Sequence, residues 1–243
     1  MIRGIILAGG TGSRLFPLTK VTNKHLLPVG RYPMIYHPIA KLKDAGITDI
    51  CIVTGREHMG DVVSLLGSGA QWGLSFTYRV QDQAGGIAEA LLLCEHFALG
   101  ERVCVILGDN IFEDPLGPLV SSYQESGRRA MVVLKEVDQP QRFGVARFEE
   151  GELVEIVEKP SEPPSNLAVT GIYFYDHYAF EVAASLEPSA RGELEITDVN
   201  NAYLRLGELA WTKLSGWWTD AGTFESYPRA NQLARKVTLS LEG

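Results

Sequence analysis

Apolar segments typical of buried strands alternate with amphipathic segments typical of helices along the first 135 residues. The strand-like segments are short and rich in Val, Ile and Leu, whereas the segments between them have apolar residues at helical spacing. This alternation predicts right-handed βαβ units and a mostly parallel sheet flanked by helices. The predicted strands are residues 2–8, 49–54, 74–80, 102–107 and 130–135, and the predicted helices are residues 33–45, 60–66, 86–99 and 116–126.

The pattern changes after residue 135, where strand-like segments follow one another with only short connections. This change predicts a small antiparallel patch added to the parallel sheet. With no repeat or linker-like tract in 243 residues, we expect one Rossmann-like α/β domain. The predicted elements are strands at 144–148, 153–158, 168–175 and 210–214, and helices at 178–186, 197–206 and about 223–239.

The charge balance restricts the kinds of partner. The chain has 22 Lys and Arg against 30 Asp and Glu, a formal net charge of −8, and no basic run. Such a surface does not suit nucleic acid or an anionic membrane, so a phosphate group would need a local pocket. The sequence shows no membrane span or signal-peptide pattern, and its three cysteines are interpreted as buried thiols. We therefore expect a cytoplasmic protein without nucleic-acid or membrane partners.

A glycine-rich turn directly follows the first predicted strand. Gly9-Gly10-Thr11-Gly12 leaves backbone N–H groups unobstructed, and Arg14 follows two residues later. This combination favours an anion site, although a tight turn beside a surface arginine is an equally good interpretation. The turn lacks the lysine that ends a P-loop, and Leu15 stands where a dinucleotide-binding fingerprint requires its third glycine. Lys24, in the next loop, is a second candidate phosphate ligand or a surface lysine.

The segment LAGGTGSRLFPLT (7–19) followed by NKHLLPV (23–29) resembles the signature of the sugar-1-phosphate nucleotidylyltransferases. The resemblance covers nearly the whole chain and implies the nucleotide-diphospho-sugar transferase type of fold. It implies a nucleotide-binding half at about 1–135, a sugar-phosphate-binding half at about 136–222 and a terminal helix at 223–243. The further similar motifs, in the family's order, are Gln81 with GGIA at 85–88, LGDN at 107–110, FGV at 143–145, VEKP at 157–160, VTGIY at 169–173 and WTDAGT at 218–223.

The resemblance implies attack of a sugar 1-phosphate on the α-phosphorus of a nucleoside triphosphate, with release of pyrophosphate. The chain is most similar to the branch that uses dTTP and glucose 1-phosphate, so the implied partners are dTTP (or UTP) and glucose 1-phosphate. The implied cofactor is Mg²⁺, and the implied assembly is a homo-oligomer, a dimer or a tetramer. Because the nucleophile is already an anion, such a reaction needs in-line positioning and charge neutralisation rather than a strong base.

The same resemblance divides the charged residues by role. The amides of 10–12 and Arg14 are expected to hold the β- and γ-phosphates, Lys24 the α-phosphate and Lys159 the sugar phosphate. Asp109 and Asp220 are the expected Mg²⁺ ligands, since two carboxylates leave room for phosphate oxygens and water. On the residues alone, both aspartates are better explained as turn or helix-cap residues, and it is the surrounding motifs that favour the metal. The expected catalytic residues are Arg14, Lys24 and Asp109.

Gln81 is the expected base ligand, because its amide can donate and accept at the N3–H and carbonyl edge shared by thymine and uracil. Gly86 is expected to leave room for the base or ribose, and Glu158 to accept hydrogen bonds from sugar hydroxyls. The resemblance implies these nucleotide-binding residues: Leu7, Ala8, Gly9, Gly10, Thr11, Gly12, Arg14, Lys24, Gln81 and Gly86. It implies these sugar-phosphate-binding residues: Asn110, Gly144, Glu158, Lys159, Val169 and Tyr173.

Some residues depart from the family's usual pattern. His25 and Glu89 stand where glutamine is usual, and residues 82–85 replace a proline-rich run, so the choice between thymidine and uridine nucleotides stays open. His25 is interpreted as a loop residue rather than a catalytic base. The chain ends soon after the second metal motif, which predicts that the regulatory nucleotide site of longer members is absent or reduced. The alternatives are another nucleotide specificity on the same scaffold, or a non-catalytic paralogue that binds nucleotide sugars.

Overall fold

The computed structural model describes residues 1–241. Its strands are β1 (Ile2–Ala8), β2 (Pro28–Val29), β3 (Tyr32–Pro33), β4 (Asp49–Gly55), β5 (Ser75–Gln81), β6 (Arg102–Leu107), β7 (Asn110–Phe112), β8 (Ala130–Glu136), β9 (Gly144–Glu149), β10 (Glu152–Glu158), β11 (Leu167–Tyr175), β12 (Leu209–Lys213) and β13 (Trp218–Asp220). Its helices are α1 (Tyr36–Asp44), α2 (Met59–Leu66), α3 (Ile87–Leu92), α4 (Glu95–Ala98), α5 (Leu116–Ser126), α6 (Tyr178–Ser185), α7 (Ile196–Arg205) and α8 (Ser226–Ala234).

One nine-stranded sheet runs through the fold. Its strand order is β10-β9-β11-β6-β1-β4-β5, and β8 pairs with both β11 and β12. β1 is parallel to β4 and β6, and β4 is parallel to β5, as the alternating sequence pattern predicts. β9 and β10 form an antiparallel hairpin, and β11 runs antiparallel to β6 and β8. The expected antiparallel strands therefore exist, but they belong to the main sheet, and β11 lies in its interior.

Each face of the sheet is covered by its own hydrophobic cluster. Along β1, Ile5 and Leu7 belong to one cluster, whereas Ile6 and Ala8 belong to the other. This division follows from the alternation of side chains along a strand. Burial on both faces also explains why the parallel strands are continuously apolar in sequence. The three cysteines lie buried within these layers and are free, as their apolar surroundings predict.

The structure corrects several predicted boundaries. The helix predicted at 86–99 is divided into α3 and α4, and the last helix is shorter than predicted, ending at Ala234. The helix predicted from residue 33 begins at Tyr36, because β2 and β3 form a hairpin across residues 28–33. Within residues 1–241, no helix is both long enough and apolar enough to cross a membrane.

The hairpin formed by β2 and β3 packs against α8, which follows the second aspartate motif. In the turn of this hairpin, Gly30 has φ +64°, and its N–H donates to Asn231 Oδ1 over 3.0 Å. A Cβ at this position would lie 2.6 Å from the carbonyl oxygen of Ala234. The contact between the hairpin turn and the end of the helix therefore leaves no room for a side chain at residue 30.

We expect Gly30→Ala to lower the free energy of unfolding by about 2–4 kcal/mol, because the left-handed backbone and the close approach both disfavour a Cβ. Gly127→Ala is the matched control: Gly127 has φ +65°, but no atom lies within 4 Å of its Cβ position. The control should lose only about 1–2 kcal/mol. Urea denaturation measures both values, and equal losses would show that the contact with α8 adds no constraint.

Candidate active site

The glycine turn lies at the carboxyl edge of the parallel strands, where ligands bind in open α/β sheets. β1 ends at Ala8, and the turn leads into a 3-10 turn at Ser13–Leu15. Gly12 has φ +67°, and a Cβ there would lie 3.0 Å from Thr19 Cγ2, so the turn requires glycine at this position. Thr19 Oγ1 closes the loop by donating to the carbonyl oxygen of Gly12 over 2.7 Å.

Lys24 and Asp109 form an ion pair beneath this turn. Lys24 Nζ lies 2.5 Å from Asp109 Oδ2, and the two side chains are only 11% and 13% exposed. A Cβ on Gly10 would lie 3.7 Å from the same Nζ, so the lysine is adjacent to the glycine turn. Two ions withdrawn from water carry a large desolvation cost, so a pair like this contributes little to stability by itself. Its position instead indicates a binding or catalytic role.

Burial alone would raise the pKa of Asp109, but its neighbours reverse that effect. The positive charge of Lys24 and hydrogen bonds from Lys24 and Asn110 hold the pKa of Asp109 well below its ordinary range. Asp109 is therefore ionised. Asp220 lies nearby in less favourable surroundings, since burial and the negative charge of Asp109 raise its pKa.

The two aspartates are brought together by a short ladder between β7 and β13. Asp220 pairs with Asn110, and the N–H of Ala221 donates to the carbonyl oxygen of Asp109 over 2.8 Å. A Cβ on Gly222 would lie 2.9 Å from Asp109 Oδ2 and 3.6 Å from Asp220 Oδ2, so both oxygens face one small space. Two carboxylate oxygens that face one space suit a divalent cation that prefers oxygen ligands.

In the described part of the chain, no three His, Cys, Asp or Glu side chains are grouped so as to hold a metal ion. The protein would thus supply two carboxylates only. Mg²⁺ binds in this way in sites where substrate phosphates and water complete its coordination. The donor set therefore fits a metal that arrives with, or is completed by, a phosphate-bearing ligand.

A cavity of about 460 Å³ opens beside the aspartates. Arg14, Asp109 and Asp220 are among its lining residues. All six expected sugar-phosphate-binding residues line the same cavity: Asn110, Gly144, Glu158, Lys159, Val169 and Tyr173. Residues that are up to 63 positions apart in sequence, from 110 to 173, are thereby assembled around one space.

Glu158 and Lys159 are held in defined positions at the end of β10. Glu158 Oε2 accepts a hydrogen bond from Thr197 Oγ1 over 2.6 Å, and its Oε1 lies 3.2 Å from Arg191 Nη2. Lys159 has φ +41°, an unfavourable backbone conformation for a lysine, and its N–H donates to the carbonyl oxygen of Phe143 over 3.0 Å. Strained residues of this kind concentrate at functional sites.

Asn110 has a structural role in addition to its place in the cavity. Its Oδ1 accepts hydrogen bonds from the N–H of Gly171 over 3.0 Å and from Trp218 Nε1 over 2.7 Å. Its Nδ2 donates to Asp109 Oδ1 over 3.2 Å. Tyr173 is buried at the back of the cavity, and burial raises its pKa, with further contributions from Glu158 and Asp109. The phenol is therefore a neutral hydrogen-bonding group.

A second cavity, of about 740 Å³, lies on the other side of the glycine turn. Of the expected nucleotide-binding residues, Gly9, Gly10, Thr11 and Gln81 line it, together with residues 55–58 and 82–84. Leu7 and Ala8 are buried beneath the turn. Arg14 lines the first cavity. Lys24 contacts Asp109, which lines the first cavity, and lies next to Gly10, which lines the second, so the ion pair lies between the two.

Gly86 is required by packing within the chain. It has φ +106°, and a Cβ would lie 2.4 Å from the carbonyl oxygen of Leu194. That side of Gly86 is thus filled by the segment that precedes α7. Its expected contact with a base or ribose stays a prediction.

His25 is packed away from both cavities. Its Nδ1 lies 2.7 Å from Asn23 Oδ1, and a Cβ on Gly108 would lie 2.7 Å from its Cδ2. Burial, with the charge of Lys24, lowers the pKa of His25 to about 3, against an opposing effect of Asp109. The ring is therefore neutral and positions the loop that carries Lys24, in agreement with its interpretation as a loop residue.

Six polar residues that line the first cavity were not predicted from the sequence: Arg142, Arg191, Glu193, Glu195, Thr197 and Asn200. Arg191 and Thr197 hold Glu158, and Arg142 Nη2 lies 3.3 Å from Asp220 Oδ2. Arg142 directly precedes the FGV motif, so its position was a usable signal. Arg191 and Thr197 lie outside every motif and become recognisable only through their contacts.

The site consists of a glycine turn, a lysine–aspartate pair and a second aspartate, set between two cavities. This arrangement is typical of an enzyme class that joins a nucleotide to a second phosphate-bearing ligand. A family model described as "Nucleotidyl transferase" matches residues 3–237, and the chain belongs to this family. The expected family, enzyme class and fold are thereby confirmed. Nucleotidyltransferases of this family generally use a divalent metal ion, which agrees with the paired aspartates.

The chain is similar to curated and structurally solved members of the family. It is 47% identical over 243 residues to the glucose-1-phosphate thymidylyltransferase of Xanthomonas campestris pv. campestris (strain B100), a match that covers 98% of this chain and 82% of that protein. A crystal structure of a Bacillus anthracis protein to which the same activity has been ascribed, in complex with a sucrose, has a TM-score of 0.96 and 61% identity and covers 100% of both chains. A UDP-glucose pyrophosphorylase complexed with UDP-glucose has a TM-score of 0.86 and 28% identity, covering 97% of this chain and 99% of that one.

The neutral state of His25 predicts a pH dependence of stability. Its folded pKa is about 3, below the ordinary value of 6.5, so the unfolded chain binds a proton that the folded chain excludes. The contribution of the neutral ring to the free energy of unfolding is complete above pH 6.5. It is lost as the pH falls towards 3, at up to about 1.4 kcal/mol per pH unit. We expect His25→Gln to flatten the fall in the free energy of unfolding between pH 6 and pH 4.

Urea denaturation at several pH values tests this dependence. His96→Gln is the matched control, because His96 is exposed on α4. If the free energy of unfolding of His25→Gln falls with pH as steeply as that of wild type, this ring does not resist protonation.

Proposed function

We propose that the chain transfers a thymidylyl group from dTTP to glucose 1-phosphate, forming dTDP-glucose and releasing pyrophosphate. The observation that carries the proposal is the place of the Lys24–Asp109 pair at the border between two cavities. One cavity is bounded by the glycine turn and Gln81, and the other by Glu158 and Lys159. A reaction between two bound phosphates requires its charge-neutralising groups at such a border.

The nucleotide occupies the cavity at the glycine turn in this proposal. The amides of residues 10–12 and Arg14 bind the β- and γ-phosphates, and Gln81 binds the base. Lys24 contacts the α-phosphate, since its Nζ lies between the glycine turn and Asp109. Asp109 keeps this ammonium group oriented until the nucleotide supplies a second anion.

Glucose 1-phosphate occupies the cavity beside β10. Lys159 and Arg191 offer positive charge to its phosphate, and Glu158 accepts hydrogen bonds from sugar hydroxyls. Both oxygens of Glu158 already have partners, but each carboxylate oxygen can accept more than one hydrogen bond. Thr197 and Arg191 thus hold the carboxylate in place rather than block it.

The attacking oxygen of the sugar phosphate needs no deprotonation, so the residues act by positioning and neutralisation. Lys24 offsets the negative charge that builds at the α-phosphate as the new P–O bond forms and the bond to pyrophosphate breaks. Asp109 and Asp220 would hold Mg²⁺, which supplies further neutralisation at the phosphate oxygens. Arg142 limits the repulsion between the two carboxylates through its contact with Asp220.

The assembly and location form part of the same proposal. We infer a single nucleotidyltransferase domain, because one sheet and its two hydrophobic clusters include strands from both sequence halves. A homo-oligomer and a cytoplasmic location are supported by the family resemblance.

Pyrophosphate release with Mg²⁺ tests the proposed function, with dTTP, UTP, dCTP, GTP and ATP each paired with glucose 1-phosphate and with other sugar 1-phosphates. We expect dTTP with glucose 1-phosphate to give the highest kcat/KM, because Gln81 and Glu158 match the base and the sugar. Preference for UTP would move the chain to the uridylyl-transferring alternative on the same scaffold. No turnover of any pair by folded protein would support the non-catalytic paralogue.

Lys24→Gln controls for contaminating activity in the same assay. We expect it to lower kcat by roughly 10²- to 10⁴-fold, by analogy with the loss of other groups that stabilise transition-state charge. Lys236→Gln is its matched control, because Lys236 is exposed beyond α8. Turnover by Lys24→Gln at the wild-type rate would contradict the role of the Lys24–Asp109 pair.

The contact between Thr197 and Glu158 predicts a selective effect on the sugar substrate. Thr197→Val keeps the shape of the side chain but removes the donor to Glu158 Oε2. We expect KM for glucose 1-phosphate to rise about three- to tenfold while KM for dTTP stays constant, because the carboxylate loses one hydrogen bond from a neutral donor but keeps its contact with Arg191. Steady-state kinetics with each substrate varied measures both constants. Thr212→Val, on β12, is the control, and equal changes in both KM values would contradict the assignment.

A further inference from the structure

Each of the two aspartates that face one space is paired with a cation of the same chain. Lys24 Nζ lies 2.5 Å from Asp109 Oδ2, and Arg142 Nη2 lies 3.3 Å from Asp220 Oδ2 and 3.5 Å from its Oδ1. The two carboxylate side chains are only 13% and 14% exposed, so water and salt screen these contacts weakly. A divalent cation that binds to both aspartates therefore meets two positive charges that are already in place.

The two cations are held with different strength. The Lys24 contact is short, whereas the contacts of Arg142 Nη2 are all long for hydrogen bonds between charged groups. The Arg142 side chain is also more exposed, at 28%, and its guanidinium carbon lies 5.3 Å from the centre of the Phe143 ring. Arg142 is therefore the cation that a competing ion displaces more easily.

A third cavity, of about 620 Å³, gives Arg142 a second place to lie. Arg142, Phe143 and Asp220 line both this cavity and the one beside the aspartates, so they form part of the wall between them. Carboxylates outnumber cations among the other charged residues that line the third cavity: Glu113, Glu136, Asp138 and Glu225 against Lys135 and Arg229. A guanidinium that leaves Asp220 thus has an acidic space to enter.

Asp220 has other contacts that hold it when Arg142 leaves. Ser226 Oγ donates to Asp220 Oδ2 over 3.2 Å, and Ser226 is itself only 4% exposed. The backbone of Asp220 pairs with Asn110 in the ladder between β7 and β13. Neutral groups therefore keep the carboxylate in place, and loss of Arg142 changes the charge around it rather than its position.

We propose that Arg142 is a displaceable counter-ion of Asp220, which weakens metal binding by the protein alone and so makes metal binding depend on the nucleotide. Arg142 and the metal ion compete for one carboxylate. A bound triphosphate brings negative charge that offsets Lys24 and Arg142, and it supplies further oxygen ligands. The proposal rests on the proposed function, in which Asp109 and Asp220 hold the metal ion.

The coupling acts in both directions. If the nucleotide increases the affinity for the metal ion by some factor, the metal ion increases the affinity for the nucleotide by the same factor. Arg142 enlarges that factor, because it lowers metal affinity chiefly where no nucleotide is bound. It acts only through Asp220 and is therefore a positioning residue rather than a catalytic one.

Binding of Mn²⁺ to the full chain tests the proposal without any turnover, because electron paramagnetic resonance measures the free ion. Arg142→Met removes the charge and keeps much of the side-chain volume. We expect Mn²⁺ binding by the protein alone to tighten about three- to tenfold, between the effects of an exposed and of a buried charge pair. With dTTP bound and protein in excess, we expect a change of less than about twofold, because Arg142 no longer pairs with Asp220.

Arg229→Met is the matched control, because Arg229 is an exposed arginine that lines the same third cavity. We expect it to leave Mn²⁺ binding unchanged with and without dTTP. Arg142→Lys keeps the positive charge and should bind Mn²⁺ as weakly as wild type. Arg142→Gln removes the charge with a polar side chain and should tighten binding in the same range, so the test does not depend on the folding of one variant.

Two results would overturn the proposal. Equal tightening in Arg229→Met and Arg142→Met would attribute the effect to the net charge of the region. Tightening by the same factor with and without dTTP in Arg142→Met would show that the guanidinium stays beside Asp220 when the nucleotide is bound.

Pyrophosphate release by the same proteins separates this proposal from the proposed function. If wild type shows no turnover but Arg142→Met tightens Mn²⁺ binding only in the absence of dTTP, Arg142 acts as proposed and the transfer reaction is wrong. If wild type turns over dTTP and glucose 1-phosphate but Arg142→Met leaves Mn²⁺ binding unchanged, the proposed function stands and the role of Arg142 is wrong.

Discussion

The ion pair between Lys24 and Asp109 is the contact on which the arrangement of both cavities depends. The pair can form because β1 and β6 are neighbouring parallel strands, with Leu7 opposite Leu107, so their following loops leave the sheet side by side. The N–H of Gly108 donates to the carbonyl oxygen of Leu7 over 2.9 Å and extends this pairing into the loops. Removing both ions from water costs free energy. An anion bound beside the pair would share the ammonium group, which gives the pair a role in binding.

The two cavities are also joined at their far ends. The N–H of Leu194 donates to the carbonyl oxygen of Gly85 over 2.8 Å, and the N–H of Ala88 donates to the carbonyl oxygen of Leu194 over 3.2 Å. The segment that contacts Gln81 through the carbonyl oxygen of Gly86 and the segment that carries Arg191 therefore share backbone hydrogen bonds. Through these contacts, backbone hydrogen bonds join the walls of the two cavities.

The sequence predicted the elements that periodicity specifies and missed those that only tertiary contacts create. The segment at 102–107 was predicted to the residue, because a run of six mostly apolar residues bounded by polar ones has few interpretations. The three-residue strands Asn110–Phe112 and Trp218–Asp220 have too few residues for any period, although their pairing brings the two aspartates together. The motifs predicted six residues that line the cavity beside the aspartates, whereas Arg191 joins that cavity through contacts that no local pattern records.

Several glycines of the motifs are required for a different physical reason from the one that the sequence suggested. The glycine turn at 9–12 was expected to leave backbone N–H groups open to phosphate, and Gly86 was expected to leave room for the base or ribose. Around this site, the space is largely occupied by the protein's own side-chain oxygens: Gln81 Oε1 lies against Gly9, Glu89 Oε2 against Gly85 and Asp109 Oδ2 against Gly222. Each glycine lets a polar side chain reach the backbone, which fixes the position of its oxygen. These held atoms are acceptor oxygens, two of them carboxylate, so the positive groups beside the cavities of this acidic chain are instead Arg14, Lys24 and the amides of the glycine turn.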